Sequence, residues 1–174
     1  DYAFGNVDQG AVGRATGPLS SLLTNLVDRD ADGNVIGLVS DFNMVDAIVQ
    51  ADFDTGRGDY PLRLLAEYLR NTKAASSQDT GIWVEAEYGG SRTLRTYTLG
   101  YTYGWVQQEA SLSPFVFSDM PGTNIQLHML NFAYIPLPNL SLDLTLHITK
   151  LLEVEAGTSN NWLTRPHIAA IVRF

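Results

Sequence analysis

The chain of 174 residues has no cysteine, few basic residues and no long apolar run. Without cysteine, disulfides and thiolate metal sites are excluded, and the redox compartment stays open. No stretch approaches the roughly 18 consecutive apolar residues of a transmembrane helix, so helical membrane spans are excluded too. Lysine and arginine number 11 against 19 aspartates and glutamates, a net charge of -8. Because phosphate binding requires clustered basic side chains, this balance argues against nucleic acid as a partner.

The first residues also lack the basic and apolar pattern of a signal peptide, so we expect a mature protein or a piece of a longer one.

What the sequence does contain is alternation of apolar and polar residues with a period of two. The clearest case is 139–150, where five apolar residues alternate with five polar ones. Such alternation predicts a strand with one apolar and one polar face. The segment is also long enough to cross a membrane at a tilt, which takes about 9–11 residues. Residues 161–174 alternate in the same way and end on Phe174.

The same period recurs along the rest of the chain, with turn or loop signals between the segments. Further strands are predicted at 41–54, 60–71, 81–88, 92–107 and 124–135, with a weaker one at 1–9. Short links at 55–59, 89–91 and 136–138 alternate with longer ones at 72–80, 108–123 and 151–160. Tight turns on one side and long loops on the other are typical of outer-membrane barrels.

We therefore predict an all-β fold, an antiparallel transmembrane β-barrel with about 8 strands in this chain. The barrel either closes by itself or is part of a larger one. Residues 1–174 would form a single domain with a long extracellular loop at 10–40.

Alternating strands also build soluble sandwiches and lipocalin-like barrels, whose apolar face points inward. Three features favour the membrane arrangement. They are the terminal Phe174, the aromatic residues near strand ends, and the alternation of short and long links. Aromatic rings at strand ends are typical of the girdles that outer-membrane barrels place at both membrane boundaries.

Four stretches resemble the C-terminal part of a bacterial porin family of outer-membrane β-barrels. They are GNVIGLVSDFNMVDAIVQADF (33–53), YPLRLLAEYLRNT (60–72), TLGYTYGWVQQEASLSPFVFSD (98–119) and NLSLDLTLHITK (139–150). The resemblance implies location in the bacterial outer membrane, contact with its lipid, and passive passage of small solutes. It also implies insertion by the β-barrel assembly machinery, with Phe174 as the assembly signal. Porins of this kind often form homo-oligomers, which the sequence leaves open.

The polar faces of the predicted strands supply the candidate lumen-lining residues. They are Asp46, Gln50, Asp52, Arg63, Glu67, Glu85, Glu87, Asp143, Thr145, His147 and Arg173. In a water-filled channel these side chains would favour cations, because carboxylates outnumber bases. The alternative is that they pair and hydrate one another inside a barrel wall through which nothing passes.

A second candidate is the sequence Asp28-Arg-Asp30-Ala-Asp32-Gly33, which has the opening of a calcium loop. The twelfth position is Val39, so the expected bidentate glutamate is missing. We favour an Asp/Gly-rich turn over a calcium site, and we expect no other cofactor.

The histidines His128, His147 and His167 fall on separate predicted strands, and no nucleophile motif accompanies them. An enzyme that pairs Ser141 with His147 is therefore the least favoured function. The favoured function is porin-like diffusion of small solutes. The main rival is a small closed barrel with a structural or adhesive role, whose interior is filled by side chains.

Overall fold

The computed structural model describes residues 2–3, 25–90, 93–113, 116, 120, 122–154, 157 and 159–173. The fold is all-β and antiparallel, as the sequence predicts. In these ranges ten strands follow one another: β1 (Tyr2–Ala3), β2 (Val27–Arg29), β3 (Val35–Leu38), β4 (Asn43–Phe53), β5 (Leu62–Asn71), β6 (Thr80–Tyr88), β7 (Tyr97–Val106), β8 (Ile125–Leu137), β9 (Leu140–Leu151) and β10 (Leu163–Val172). Among these described residues, no helix is long and apolar enough to span a membrane.

Strands β4 to β10 pair in chain order, each antiparallel to the next, and β1 adds to the outer edge of β4. Within the described residues, β10 pairs only with β9 and β1 only with β4, so these two strands form the edges of an open sheet. Strands β2 and β3 form a separate two-stranded sheet. Because six antiparallel pairings lead from β4 to β10, these two long strands run in the same direction.

The seven long strands lie where the alternation predicts them, with ends shifted by up to five residues. The links 54–61, 72–79 and 89–96 are equal in length, so the predicted alternation of short and long links is wrong there; it holds for 107–124, 138–139 and 152–162. The predicted strand at 1–9 is described only at Tyr2–Ala3. The predicted loop at 10–40 contains the hairpin β2–β3, and its residues 10–24 lie outside the described part. The hairpin turn is held by the Asp30 carboxylate, which accepts hydrogen bonds from the backbone N–H of Asp32 at 3.0 Å and of Asn34 at 2.8 Å.

The strand register divides the large sheet into two faces, because residues paired across neighbouring strands point to the same side. One face, here called the apolar face, carries alternate residues of each strand such as Val49 of β4, Leu130 of β8 and Ile168 of β10. The other, the polar face, carries residues such as Glu67 of β5 and His147 of β9. The described part of the chain covers neither face along its whole width.

The loop between β7 and β8 covers one end of the polar face and builds the principal core there. Ala110 and Met120 of this loop are buried against Val106, Ile125, Leu127 and Met129, with Trp83 and Val116 packed alongside. A second small cluster joins Leu38, Phe42 and Leu112. The core therefore lies on the polar face at the end of the sheet where the long links run.

Candidate functional site

All eleven candidate lumen residues lie on the polar face. Asp52 of β4 lies opposite Arg63 of β5, and Arg63 in turn lies opposite Glu87 of β6. It continues through β7 and β8 to β9, where Ala133 lies opposite Asp143. Arg173 belongs to the same face at the far edge, since its backbone N–H donates to the carbonyl of Asn139.

The two sides of the polar face carry different charge. Strands β4 to β6 hold the carboxylates Asp46, Asp52, Glu67, Glu85 and Glu87 and one base, Arg63. Strand β10 holds Arg165 and His167, Arg173 directly follows its last residue, and β9 holds Asp143. Arg165 and His167 are not among the residues selected from the sequence, although the alternation that selects Arg173 selects them as well.

Arg63 is held by two of these carboxylates. Its Nε lies 2.9 Å from Oδ1 of Asp52 and its Nη1 lies 3.8 Å from Oε1 of Glu87. The side chains are more than 40% exposed, so solvent screens each contact and weakens it. Their effect is to fix the guanidinium at the end of the sheet where the short turns run.

A cavity of about 360 Å³ opens on the polar face beside the β7–β8 loop. Leu65 and Leu69 of β5, Trp83 and Glu85 of β6, and Met120 of the loop contribute to its wall. Neither Trp83 nor Met120 belongs to the residues selected from the sequence. Trp83 shares the alternation of Glu85 and Glu87 on β6 but is apolar, whereas the position of Met120 depends on how the loop folds.

The three histidines occupy different environments. His147 is 3% exposed, and its ring centroid lies 5.0 Å from that of His167 on the polar face. His128 lies on the apolar face, where its Nδ1 is 2.8 Å from the hydroxyl of Tyr101. Ser141 donates its hydroxyl to Asp143 at 2.9 Å and is six positions from His147 on β9. The described residues therefore do not bring the serine and histidine of the enzyme hypothesis together.

The aspartates of the calcium-loop hypothesis form a turn. Besides the two backbone contacts, the Asp30 carboxylate accepts the side-chain amide of Asn34, and these bonds hold the pKa of Asp30 below its usual value. No group of three or more metal-ligating side chains occurs among the described residues. Asp28 and Asp32 are exposed beside the turn.

A polar network joins three loops at the end of the sheet where the long links run. The Glu109 side chain is fully buried, and its Oε1 accepts the backbone N–H of Leu26 at 2.7 Å. Asn25 donates to the carbonyls of Gln108 and Ser111, both at 2.7 Å. Asn71 donates to the carbonyls of Asp41 and Glu109, at 2.9 and 3.0 Å. Burial raises the pKa of Glu109, and hydrogen bonds only partly offset that rise. The network holds the β7–β8 loop over the polar face.

Most of the large apolar side chains that are exposed in the described chain lie on the apolar face. Ile168 is 84% exposed and Val49 is 70% exposed. Other large apolar side chains exposed on this face are Val45, Phe53, Leu64, Tyr68, Ile82, Val84, Leu99, Tyr101, Leu130, Phe132, Leu142, Leu144 and Val172.

Aromatic groups cluster near both ends of this face. Near the short turns, the ring of Tyr60 lies 5.5 Å from that of Tyr88 and 4.8 Å from that of Tyr97. Near the long links, the ring of His128 lies 5.4 Å from that of Trp162, over which Lys150 places its ammonium at 4.7 Å. These two clusters border the apolar face, and aliphatic side chains together with Tyr68, Tyr101 and Phe132 lie between them.

Phe174, the expected assembly signal, lies outside the described residues. Comparison of the chain with protein-family models, with curated proteins and with solved structures found no match.

Proposed function

We propose that this protein is a porin-like β-barrel protein of the bacterial outer membrane. Its apolar face would meet lipid, and its polar face would line a water-filled path for small solutes. The observation that carries the proposal is the apolar face itself, which extends over all seven long strands. Soluble monomers rarely expose contiguous apolar patches larger than a few hundred Å².

The dimensions of the sheet agree with a membrane wall. The long strands have between 9 and 13 residues, against the roughly 9–11 that cross a bilayer at a tilt. Tyr97 and Trp105 of β7 both lie on the apolar face. They are eight residues apart, which is about 27 Å along the strand. This length is of the order of the roughly 25 Å apolar band that aromatic girdles border in outer-membrane barrels.

A closed barrel would complete the hydrogen bonds that the sheet edges leave open. Because β4 and β10 run in the same direction, they cannot pair antiparallel with each other. An antiparallel barrel therefore needs an odd number of further strands between them, of which β1 is one. Either an eight-stranded barrel or a larger one with an even strand number meets this condition.

The polar face gives the expected selectivity. Among the described residues it carries six carboxylates (Asp46, Asp52, Glu67, Glu85, Glu87 and Asp143) against three arginines (Arg63, Arg165 and Arg173). An excess of carboxylates along a pore favours cations over anions.

The test is single-channel recording in planar lipid bilayers. We expect discrete conductance steps. In a potassium chloride gradient, the reversal potential should have the sign of a cation-selective channel. Neutralising Glu67 and Glu87 together as Glu67→Gln and Glu87→Gln should shift that potential toward zero. A flat trace from folded, inserted protein would exclude the pore and favour the closed structural or adhesive barrel.

A further inference from the structure

The cavity beside the β7–β8 loop has the shape and lining of a binding site for a small molecule. Its volume of about 360 Å³ falls in the range of roughly 300–1,000 Å³ that ligand pockets occupy. Leu65 and Leu69 form one wall, and Val116 and Met120 reach over from the loop. An apolar body of several carbon atoms would therefore be enclosed on more than one side.

The indole of Trp83 is seated at the cavity by its neighbours. Gly104 lies directly opposite Trp83 on β7, and a Cβ added there would lie 2.9 Å from Cζ3 of the indole. Only glycine leaves room for the ring to lie across the neighbouring strand. The indole N–H donates to Oε1 of Glu85 at 2.5 Å, which fixes the ring relative to that carboxylate.

Two carboxylates, Glu67 and Glu85, reach the same cavity. The charged groups that act on Glu67 are Asp46 and Glu85, both acidic. Among the described residues none of these three carboxylates lies within salt-bridge distance of a base, although the charge of Glu85 acts on Arg63 from farther away. In the described part of the chain, the cavity thus combines an aromatic wall and aliphatic walls with an excess of negative charge.

We propose that this cavity binds small organic ammonium ions that carry an apolar group. The ammonium would lie between Glu67 and Glu85 beside the Trp83 ring, where carboxylates and an indole both attract a cation. The apolar group would contact Leu65, Leu69 and Met120. The proposal rests on the porin-like function in one respect. If the polar face lines a path for solutes, organic ammonium ions are a class of solute that it would retain and pass.

The test is calorimetric titration of the full chain in detergent micelles with three probes of the same shape. They are 2-phenylethylammonium, the neutral 2-phenylethanol and the anionic phenylacetate. We expect the ammonium to bind at least about tenfold more tightly than the alcohol, as charge-assisted contacts would give, and phenylacetate not to bind.

The double variant Glu67→Gln and Glu85→Gln should lose that tenfold preference and keep the weaker binding of the alcohol. Retained alcohol binding shows that the variant is folded and that the apolar walls are intact. The matched control, Asp59→Asn with Glu153→Gln, removes two charges from outside the strands and should keep the preference. Gly104→Ala, which displaces the indole, should weaken binding of both the ammonium and the alcohol.

Equal binding of the ammonium and the alcohol would overturn the proposal, as would equal losses in the double variant and its control. Absence of any binding would overturn it as well. Because binding is measured without a membrane, its failure leaves the conductance test unaffected. Likewise, a flat conductance trace leaves a measured ammonium site in place.

Discussion

Replacing Leu130 by lysine distinguishes a lipid-facing surface from a water-facing one. Leu130 is 48% exposed in the middle of the apolar face, between Tyr101 on β7 and Leu146 on β9. It lies four residues from Gln126, which is opposite Trp105, and four from Tyr134, which is opposite Tyr97. Four residues of strand are about 14 Å, which is farther than a lysine side chain reaches.

If this face meets lipid, the Leu130→Lys ammonium lies near the bilayer centre. The expected loss in the free energy of unfolding is about 2–4 kcal/mol, the cost of a lysine at the midplane of an outer-membrane barrel. That loss corresponds to a change of roughly 30- to 700-fold in the folding equilibrium. If the face meets water, the lysine stem covers the same neighbours and the change stays within about 0.5 kcal/mol.

The assay is urea unfolding in phospholipid vesicles, followed by the fluorescence of the three tryptophans. The control is Leu137→Lys at the end of β8, an exposed leucine near the short turns that should cost only about 0–1 kcal/mol. A difference between the two variants below about 0.5 kcal/mol would refute the assignment of this face to lipid.

Two further predictions concern loops and turns. Burial raises the pKa of Glu109 above its unfolded value, so ionising it costs stability that is regained at low pH. The wild type should lose stability as pH rises through the folded-state pKa of Glu109. The variant Glu109→Gln keeps the acceptor for the Leu26 N–H and should show no such loss. Equal slopes of unfolding free energy against pH in urea titrations of the two proteins would contradict this. Gly89 has φ +96°, and an added Cβ would lie 2.3 Å from the carbonyl oxygen of Tyr97. Gly89→Ala should therefore lower the free energy of unfolding by more than about 2 kcal/mol. Gly56→Ala, at φ +73° with open space around it, should cost about 1–2 kcal/mol, and equal unfolding midpoints for the two variants would argue against the close contact.

The alternation of residue types predicts the strands because burial and solvation act on every second residue. The segment predicted at 139–150 forms β9 as Leu140–Leu151. The candidate residues selected on each strand then fall on one face, because a period of two leaves only two choices for each strand.

The remaining features depend on contacts between residues far apart in sequence. The strands of the hairpin β2–β3 are short, and its turn is stabilised by the Asp30 side chain. The sequence therefore shows little alternation of apolar and polar residues in this hairpin. The cavity depends on Trp83 meeting Gly104 across two strands and on a loop folding back over the sheet. Tryptophan and glycine have no fixed spacing that would reveal this pairing. Glu109 likewise looks like any acidic loop residue in the sequence, because its burial depends on contacts with the distant Asn25 and Leu26.

The most direct test of the two-faced membrane wall is a cysteine scan of β9, which the absence of native cysteine makes straightforward. Spin labels are placed singly at positions 140–149 in protein reconstituted in vesicles, and their collisions with oxygen and with a water-soluble nickel complex are measured. Labels at Leu140, Leu142, Leu144, Leu146 and Ile148 should collide more with oxygen than their odd-numbered neighbours do, because oxygen concentrates in lipid. Equal accessibility along the strand, or the opposite alternation, would contradict the assignment of the apolar face to the membrane.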